Sequence, residues 1–168
     1  APAISITGRH DLARGRGAAD LRLGPVRFAP QGLQPGVLSP RFAGVVEDVD
    51  GALGATGRIA WEANGLDPRL TVALDRLGLG TGSGRISDIE GRVLVDGLAP
   101  PSTAPGQRVS ARAVIGALPP IPITAQFQLR PDGKLVIETA VLEFAGGRLT
   151  IENLVADPER RAAAGTVT

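Results

Sequence analysis

Alternation of apolar and polar residues is the dominant pattern along this chain, and it is typical of β-strands that bury one face. The alternation is clearest over residues 121–130, where the odd-numbered positions are apolar and the even-numbered positions are mostly polar. Residues 130–134 follow with Pro, Asp and Gly, which favour a tight turn. Residues 135–144 then return as a second strand, with a shift near Thr139 that predicts a β-bulge. Together these segments predict a β-hairpin.

Weaker alternation predicts further strands over residues 19–23, 52–62, 70–74, 109–115 and 148–154. Each of them is apolar on one side and mostly polar on the other, whereas strands of a helix-covered parallel sheet are apolar on both sides. The 23 glycines and 14 prolines favour short turns between strands over long helices. We therefore predict an all-β, mostly antiparallel fold; the curved sheet of a β-groove is one of the two forms considered below.

One short helix is predicted near residues 40–49. Ser39 is a suitable N-cap, Pro40 suits the first helical position and Gly51 suits the end of the helix. The apolar residues between them follow helical spacing: Phe42, Val45, Val46 and Val49.

Two proline-rich stretches, residues 32–40 and 99–106, are predicted to be loops. Neither is long enough to link two domains, so we treat residues 1–168 as one segment with no internal domain boundary. The chain contains no signal peptide and no apolar run of the roughly 20 residues that a membrane-spanning helix needs. We expect it to be a segment of a larger protein.

The one-sided apolar pattern permits two structures, and the pattern alone favours the first. In a sandwich, the apolar faces pack against each other in a closed core. In an open, curved sheet, the inner face remains available to acyl chains. The candidate groove-lining residues are Leu53, Ala55, Ile59, Trp61, Leu70, Val72, Leu74, Val109, Ala111, Ala113, Ile115, Ile121, Ile123, Ala125, Phe127 and Leu129.

Composition narrows the choice of function. Hydrophobic residues make up 43% of the chain, which excludes a disordered tail, but aromatic residues make up only 3%. Aliphatic side chains must therefore supply most of the buried area, which suits a thin, extended β surface. The formal net charge of +1 and the lack of aromatic stacking platforms argue against nucleic-acid binding. The chain has no cysteine, which excludes disulfides and thiolate metal sites.

Two sets of titratable residues could carry chemistry, and we interpret both as surface features. His10 is the only histidine, and no nucleophile or pocket accompanies it. Asp88 and Glu90 are two positions apart on a predicted strand, so their carboxylates would share a face at about 7 Å, a spacing that overlaps that of glycosidases. A glycan cleft also needs aromatic platforms, and only Trp61 is available. A solvated outer face is therefore the better interpretation, and we predict no catalytic residue, metal or cofactor.

The glycine-rich segment from Gly78 to Gly84 superficially resembles a phosphate-binding loop. Ser83 occupies the position of the third glycine of that motif, the P-loop lysine is missing, and no helix is predicted to follow. We interpret the segment as a connection between two strands of a hairpin.

Several segments resemble the YdbH-type intermembrane phospholipid transport family, a branch of the AsmA-like envelope proteins whose shared region has also been called a dicarboxylate transport domain. The resemblance covers roughly residues 8–157 and keeps the family's order. The segments that carry it are Phe28–Pro35, Gly57–Trp61, Gly97–Pro100, Pro105–Gln107 and Phe144–Gly147.

This resemblance implies a long periplasmic protein of a Gram-negative bacterium, anchored in the inner membrane by a segment that is absent from this chain. Its strands would form a taco-shaped hydrophobic groove that carries phospholipid towards the outer membrane without hydrolysis. The implied partners are phospholipid acyl chains, neighbouring β segments of the same parent chain, and a small outer-membrane lipoprotein near the far end. The alternative is a structural β module of an envelope protein, with a closed core and no transport role.

Overall fold

The computed structural model describes residues 3–38, 47–81, 84–157 and 162–167. Of these residues, 77% are in β-strands, which form one antiparallel sheet. A four-residue helix, α1 (Pro35–Leu38), follows the second strand. The strands are β1 (Ile4–Asp11), β2 (Arg16–Phe28), β3 (Glu47–Glu62), β4 (Gly65–Thr81), β5 (Gly84–Leu98), β6 (Pro101–Thr103), β7 (Gln107–Val114), β8 (Ile121–Leu129), β9 (Leu135–Phe144), β10 (Gly147–Asp157) and β11 (Ala162–Val167).

The strands lie in the sheet in nearly the order in which they occur in the chain. The order is β1-β2-β3-β4-β5-β7-β8-β9-β10-β11, and the short β6 pairs with β5. Where the chain is described, no pairing joins β1 to β11, so the sheet is open and not closed into a barrel. Neighbouring strands are thus linked mostly by hairpins, which is the result expected of a chain rich in glycine and proline turns.

The predicted strands are confirmed, and most of them are longer than the alternation indicated. The clearest predicted hairpin is β8 and β9, joined by a turn in which Gly133 has a φ of 80° and the Asp132 carboxylate accepts a hydrogen bond from Lys134 N at 3.2 Å. The predicted bulge is present, because the β8–β9 register shifts next to the Gln126–Thr139 pair. The glycine-rich segment does connect the hairpin strands β4 and β5, which pair up to Thr81 and Gly84.

Bulges interrupt the long strands at neighbouring positions. Arg76 in β4 and Asp88 in β5 have positive φ and lie at register shifts in adjacent strands, and β3 has a shift at Asp50. A second set lies further along the sheet, where Asn153 of β10 has positive φ opposite the β9 shift. Because a bulge bends its strand and increases the local twist, these two sets give the sheet its curvature.

The helix prediction near residues 40–49 is corrected where it can be checked. Residues 39–46 lie outside the described residues, but residues 47–49 belong to β3. Gly51, assigned as the end of that helix, lies within β3 at a φ of 99°. Val49 belongs to a period-2 series that continues through Leu53 and Ala55, and pairing with β4 favours the strand. The predicted loops also contain short elements: α1 lies within residues 32–40 and β6 within residues 99–106.

Candidate functional site

The strand register brings the apolar residues of nine strands, β1–β5 and β7–β10, onto one face of the sheet, here called the apolar face. Directly paired residues of antiparallel strands point to the same side, so the face can be followed from strand to strand. One row runs from Ile6 through Leu21, Gly57 and Leu70 to Val95. A second row runs through Val109, Ala125, Ala140 and Ile151.

The predicted lining residues lie on this face, with one exception. Those of β3 and β4 are paired directly, as in Leu53–Leu74 and Ala55–Val72. Those of β7 and β8 are paired in the same way, as in Ala111–Ile123. Ile115 is the exception, since it follows the end of β7 and is exposed. The structure therefore assembles on one surface residues that the sequence placed on separate strands.

The apolar face is wider than the sequence indicated. Strands β1, β2, β5, β9 and β10 add residues that were not assigned to it, among them Ile4, Ile6, Leu21, Leu23, Val26, Phe28, Ile86, Ile89, Val93, Val95, Leu135, Ile137, Leu142, Leu149 and Leu154. A weak signal existed in β5, because Val93 and Val95 are two positions apart and are flanked by Arg92 and Asp96, although Leu94 between them is also apolar. The other residues were not recognised because of the bulges. Each bulge shifts the alternation by one position, so that even-numbered residues face inwards on one side of it and odd-numbered residues on the other.

Charge separates the two faces. From β1 to β10, no Asp, Glu, Lys or Arg occupies a described register position of the apolar face. The opposite face carries cross-strand ion pairs such as Asp20–Arg58, at 3.7 Å, and Glu143–Arg148, at 3.5 Å. A surface without charge is suited to hydrocarbon, because an unpaired charge in an apolar environment is strongly unfavourable.

The apolar face is only partly covered. Among the described residues no side chain is less than 2% exposed, and Ala55, Val72 and Ile123 are half-buried. Ile4 and Ile6, at the β1 edge, are 65% and 66% exposed. A β-sandwich would bury these side chains against a second sheet, but the described strands form a single sheet. Other residues of the same face are buried, among them Leu70, Ala113 and Ile121, so the apolar face of this single sheet is covered in some places and exposed in others.

A small buried cluster lies at one end of strands β2 to β4. Val26, Phe28 and Val49 are 6–7% exposed, and Leu33, from the connection after β2, packs against them. The Gln34 carboxamide holds this connection through hydrogen bonds to both backbone groups of Val49. Three strands and the connection after β2 therefore contribute to one buried apolar cluster.

Polar groups of the apolar face lie at the other strand ends. Trp61 Nε1 donates a hydrogen bond to His10 Nδ1 at 3.0 Å, and the two rings stack with centroids 5.9 Å apart. Gly17 lies between them in the register, and its lack of a side chain leaves room for the indole. His10 is exposed, as predicted, but it has a partner that the sequence did not indicate.

The remaining chemical candidates lie on the opposite, charged face. Asp88 and Glu90 border a shallow depression, and Arg112 Nη1 lies 3.3 Å from an Asp88 carboxylate oxygen. This is the solvated face that we predicted for the two carboxylates. Within the described ranges, no three residues of the types His, Cys, Asp and Glu are grouped as metal ligands. No helix in the described part of the chain is long and apolar enough to cross a membrane.

The fold and the surface together define an open β-sheet protein with a continuous, charge-free apolar face. The chain belongs to the YdbH-like family: the family model described as intermembrane phospholipid transport protein YdbH matches residues 3–165. The resemblance found in the sequence is thereby confirmed, and phospholipid transport between membranes is the function of the family. No curated protein and no solved structure matches the chain.

Proposed function

We propose that this chain forms part of a periplasmic bridge along which phospholipid moves between the inner and outer membranes, with its acyl chains on the apolar face. The observation that carries the proposal is the combination of a charge-free face across nine strands with partial exposure of its side chains. Such a surface is costly to leave in water and is suited to a hydrocarbon ligand.

The energetics of the proposed transport require no catalytic residue. Each methylene exposed to water costs about 0.8 kcal/mol, so moving a bare chain of about sixteen carbons through water costs on the order of 10 kcal/mol. A continuous apolar surface removes most of that barrier, because the chain remains in contact with aliphatic side chains throughout. The protein acts as a conduit and leaves the lipid chemically unchanged.

The proposed setting is a larger parent protein. It would be anchored in the inner membrane by a segment outside this chain, and neighbouring β segments would extend the sheet on either side. The antiparallel edges of β1 and β11 carry the backbone groups that such pairing uses. A small outer-membrane lipoprotein is the proposed partner at the far end of the groove.

Site-specific photo-cross-linking in the parent protein tests this proposal. A diazirine-bearing residue would replace Ile123, on the apolar face, and in a matched control Thr124, on the charged face of the same strand. We expect phospholipid to cross-link at position 123 and not at position 124. Equal yields at both positions, or no lipid at either, would instead favour a structural β module without a transport role.

A further inference from the structure

The connection after β2 folds back towards the sheet as a compact strap, defined here as residues 29–37. Gly32 N donates to Ala29 O at 2.9 Å, and Ala29 N donates to Leu33 O at 3.4 Å, which closes a tight turn. Val37 N then donates to Gln34 O at 3.1 Å at the start of α1. These bonds give the strap a defined shape instead of that of an extended linker.

The Gln34 side chain joins the strap to β3. Its Oε1 accepts from Val49 N at 2.9 Å, and its Nε2 donates to Val49 O at 2.8 Å and to Ala29 O at 2.6 Å. The β2–β3 ladder ends at the Phe28–Gly51 pair, so Val49 lies just beyond it. The carboxamide therefore supplies the donor and the acceptor that a further residue of β2 would have supplied.

This attachment places Leu33 against the sheet. It is the one described member of the buried cluster that does not belong to a strand, and it packs on Val26, Phe28 and Val49. Val26 and Phe28 belong to the apolar face, because Val26 pairs with Leu53 and Phe28 with Gly51. Leu33 thus covers the kind of surface that an acyl chain would contact elsewhere on the sheet.

We propose that the strap excludes lipid from this end of strands β2 to β4, and that Gln34 is the positioning residue that keeps it there. The inference rests on the proposed function. Leu33 and an acyl chain compete for the same aliphatic surface. Gln34 favours Leu33 in this competition, since its two hydrogen bonds to Val49 form only when the strap is in place. Lipid is thereby directed along the uncovered part of the apolar face.

Cross-linking at two positions of the parent protein tests the strap. One diazirine probe replaces Leu79, which is half-buried and packs against the cluster. The other replaces Ile123 on the part of the apolar face away from the strap. We expect phospholipid cross-links at position 123 and only background at position 79. In Gln34→Ala, the yield at position 79 should rise by about fivefold or more, the shift in an opening equilibrium that corresponds to the loss of about one hydrogen bond.

The matched control is Gln31→Ala, which alters an exposed glutamine in the same turn and should leave both yields unchanged. Equal yields at positions 79 and 123 in the unaltered protein, or no increase in Gln34→Ala, would overturn the strap's role. Absence of lipid at position 123 in every variant would overturn the proposed function itself, and the strap's role with it.

Hydrogen exchange supplies a second measurement that needs no substitution. The Val49 amide donates to Gln34 Oε1, so it is protected only while the strap is closed. We expect its protection to be the same with and without phospholipid bound to the parent protein. Loss of that protection on lipid loading would show that lipid displaces the strap, and would overturn the proposal.

Discussion

At the scale of single residues, the contact between Trp61 and His10 depends on the glycine at position 17, which has no side chain. A Cβ added at Gly17 would lie 2.5 Å from an indole carbon of Trp61 and 2.5 Å from the carbonyl oxygen of Arg9. Because backbone cannot yield as a flexible side chain does, even alanine would have to displace the indole or the strand. Gly17 therefore fixes the place of the tryptophan at the rim of the apolar face.

We expect Gly17→Ala to destabilise the protein by about 1–3 kcal/mol, the usual cost of overpacking, and to change the fluorescence of the tryptophan. The chain has a single Trp, so its emission reports this site alone. Denaturant titration followed by fluorescence gives both quantities. Gly147→Ala is the control, since its Cβ would meet only the Phe144 oxygen at 3.5 Å, and an equal effect there would contradict the argument.

The turn between β8 and β9 makes a prediction about pH. The backbone N–H of Lys134 donates to the Asp132 carboxylate, and this bond, followed by that of the Lys134 side chain, lowers the pKa of Asp132 below its ordinary value. A carboxyl group whose pKa is lowered by folding stabilises the folded state at pH values above its ordinary pKa. This stabilisation is lost as the pH falls through the lowered pKa of the folded state.

An NMR titration should therefore place the Asp132 midpoint below that of an unfolded peptide of the same sequence. The Asp132 side chain is exposed, so the effect on global stability is small, and Asp132→Asn should remove its pH dependence. A midpoint at or above that of the peptide would contradict the hydrogen-bonded turn.

At the scale of elements, the bulges decide which residues face inwards. In β9, the even-numbered Leu142 and Ala140 pair with residues of the apolar face. Beyond the bulge, the odd-numbered Ile137 and Leu135 do so. Glu138 is the extra residue, and its carboxylate oxygens accept from Gly106 N at 3.1 Å. The bulge therefore allows both halves of the strand to contribute to the same face.

Deleting Glu138 should therefore damage the fold far more than removing its side chain. The deletion forces Leu135 and Ile137 onto the charged face or breaks the pairing with β8, so we expect aggregation or loss of soluble protein. Glu138→Ala retains the register and loses only a charge-assisted hydrogen bond, at a cost of about 1–3 kcal/mol. Similar expression and melting temperatures for the two variants would show that the bulge does not set the register.

The same bulges explain how far the sequence could predict this fold. Alternation was sufficient for β8, which has no interruption, and for β9, where the shift of the pattern near Thr139 indicated the bulge. It underestimated β4 and β5, where Arg76 and Asp88 break the period. The sequence pattern also extended a helix into residues 47–49. The spacing of Val49 from its apolar neighbours fits both a helix and a strand, and only the pairing of β3 with β4 distinguishes them.

The sequence could predict which face of each single strand is apolar, but not that these faces form one continuous surface. The sequence shows that Leu53 and Ile123 are each apolar positions of a strand, yet only the strand order places them on the same side of one sheet. The strap was not predictable, because Gln34 acts through the backbone of a residue fifteen positions away. Such contacts have no periodic signal in a single sequence.

At the scale of the whole molecule, the apolar face should make the isolated chain adhesive. Ile4, Ile6 and Leu66 are each more than half exposed, and they lie on a face without charge. We expect the chain to bind a hydrophobic dye and phospholipid to displace that dye. A monomeric chain that leaves the dye fluorescence unchanged would contradict an accessible face.

The central claim is that the apolar face carries lipid, and Ile123→Glu in the parent protein tests it most directly. Ile123 is half-buried in β8 and is paired with Ala111 on one side and Leu142 on the other. In an open groove the carboxylate can reach water, so the protein should fold and accumulate normally while phospholipid transport between membranes is lost. Thr124→Glu, on the charged face, should retain both abundance and transport. If Ile123→Glu instead abolishes folding while Thr124→Glu does not, the residue lies in a dry core, where an unpaired carboxylate costs several kcal/mol, and the open groove is contradicted.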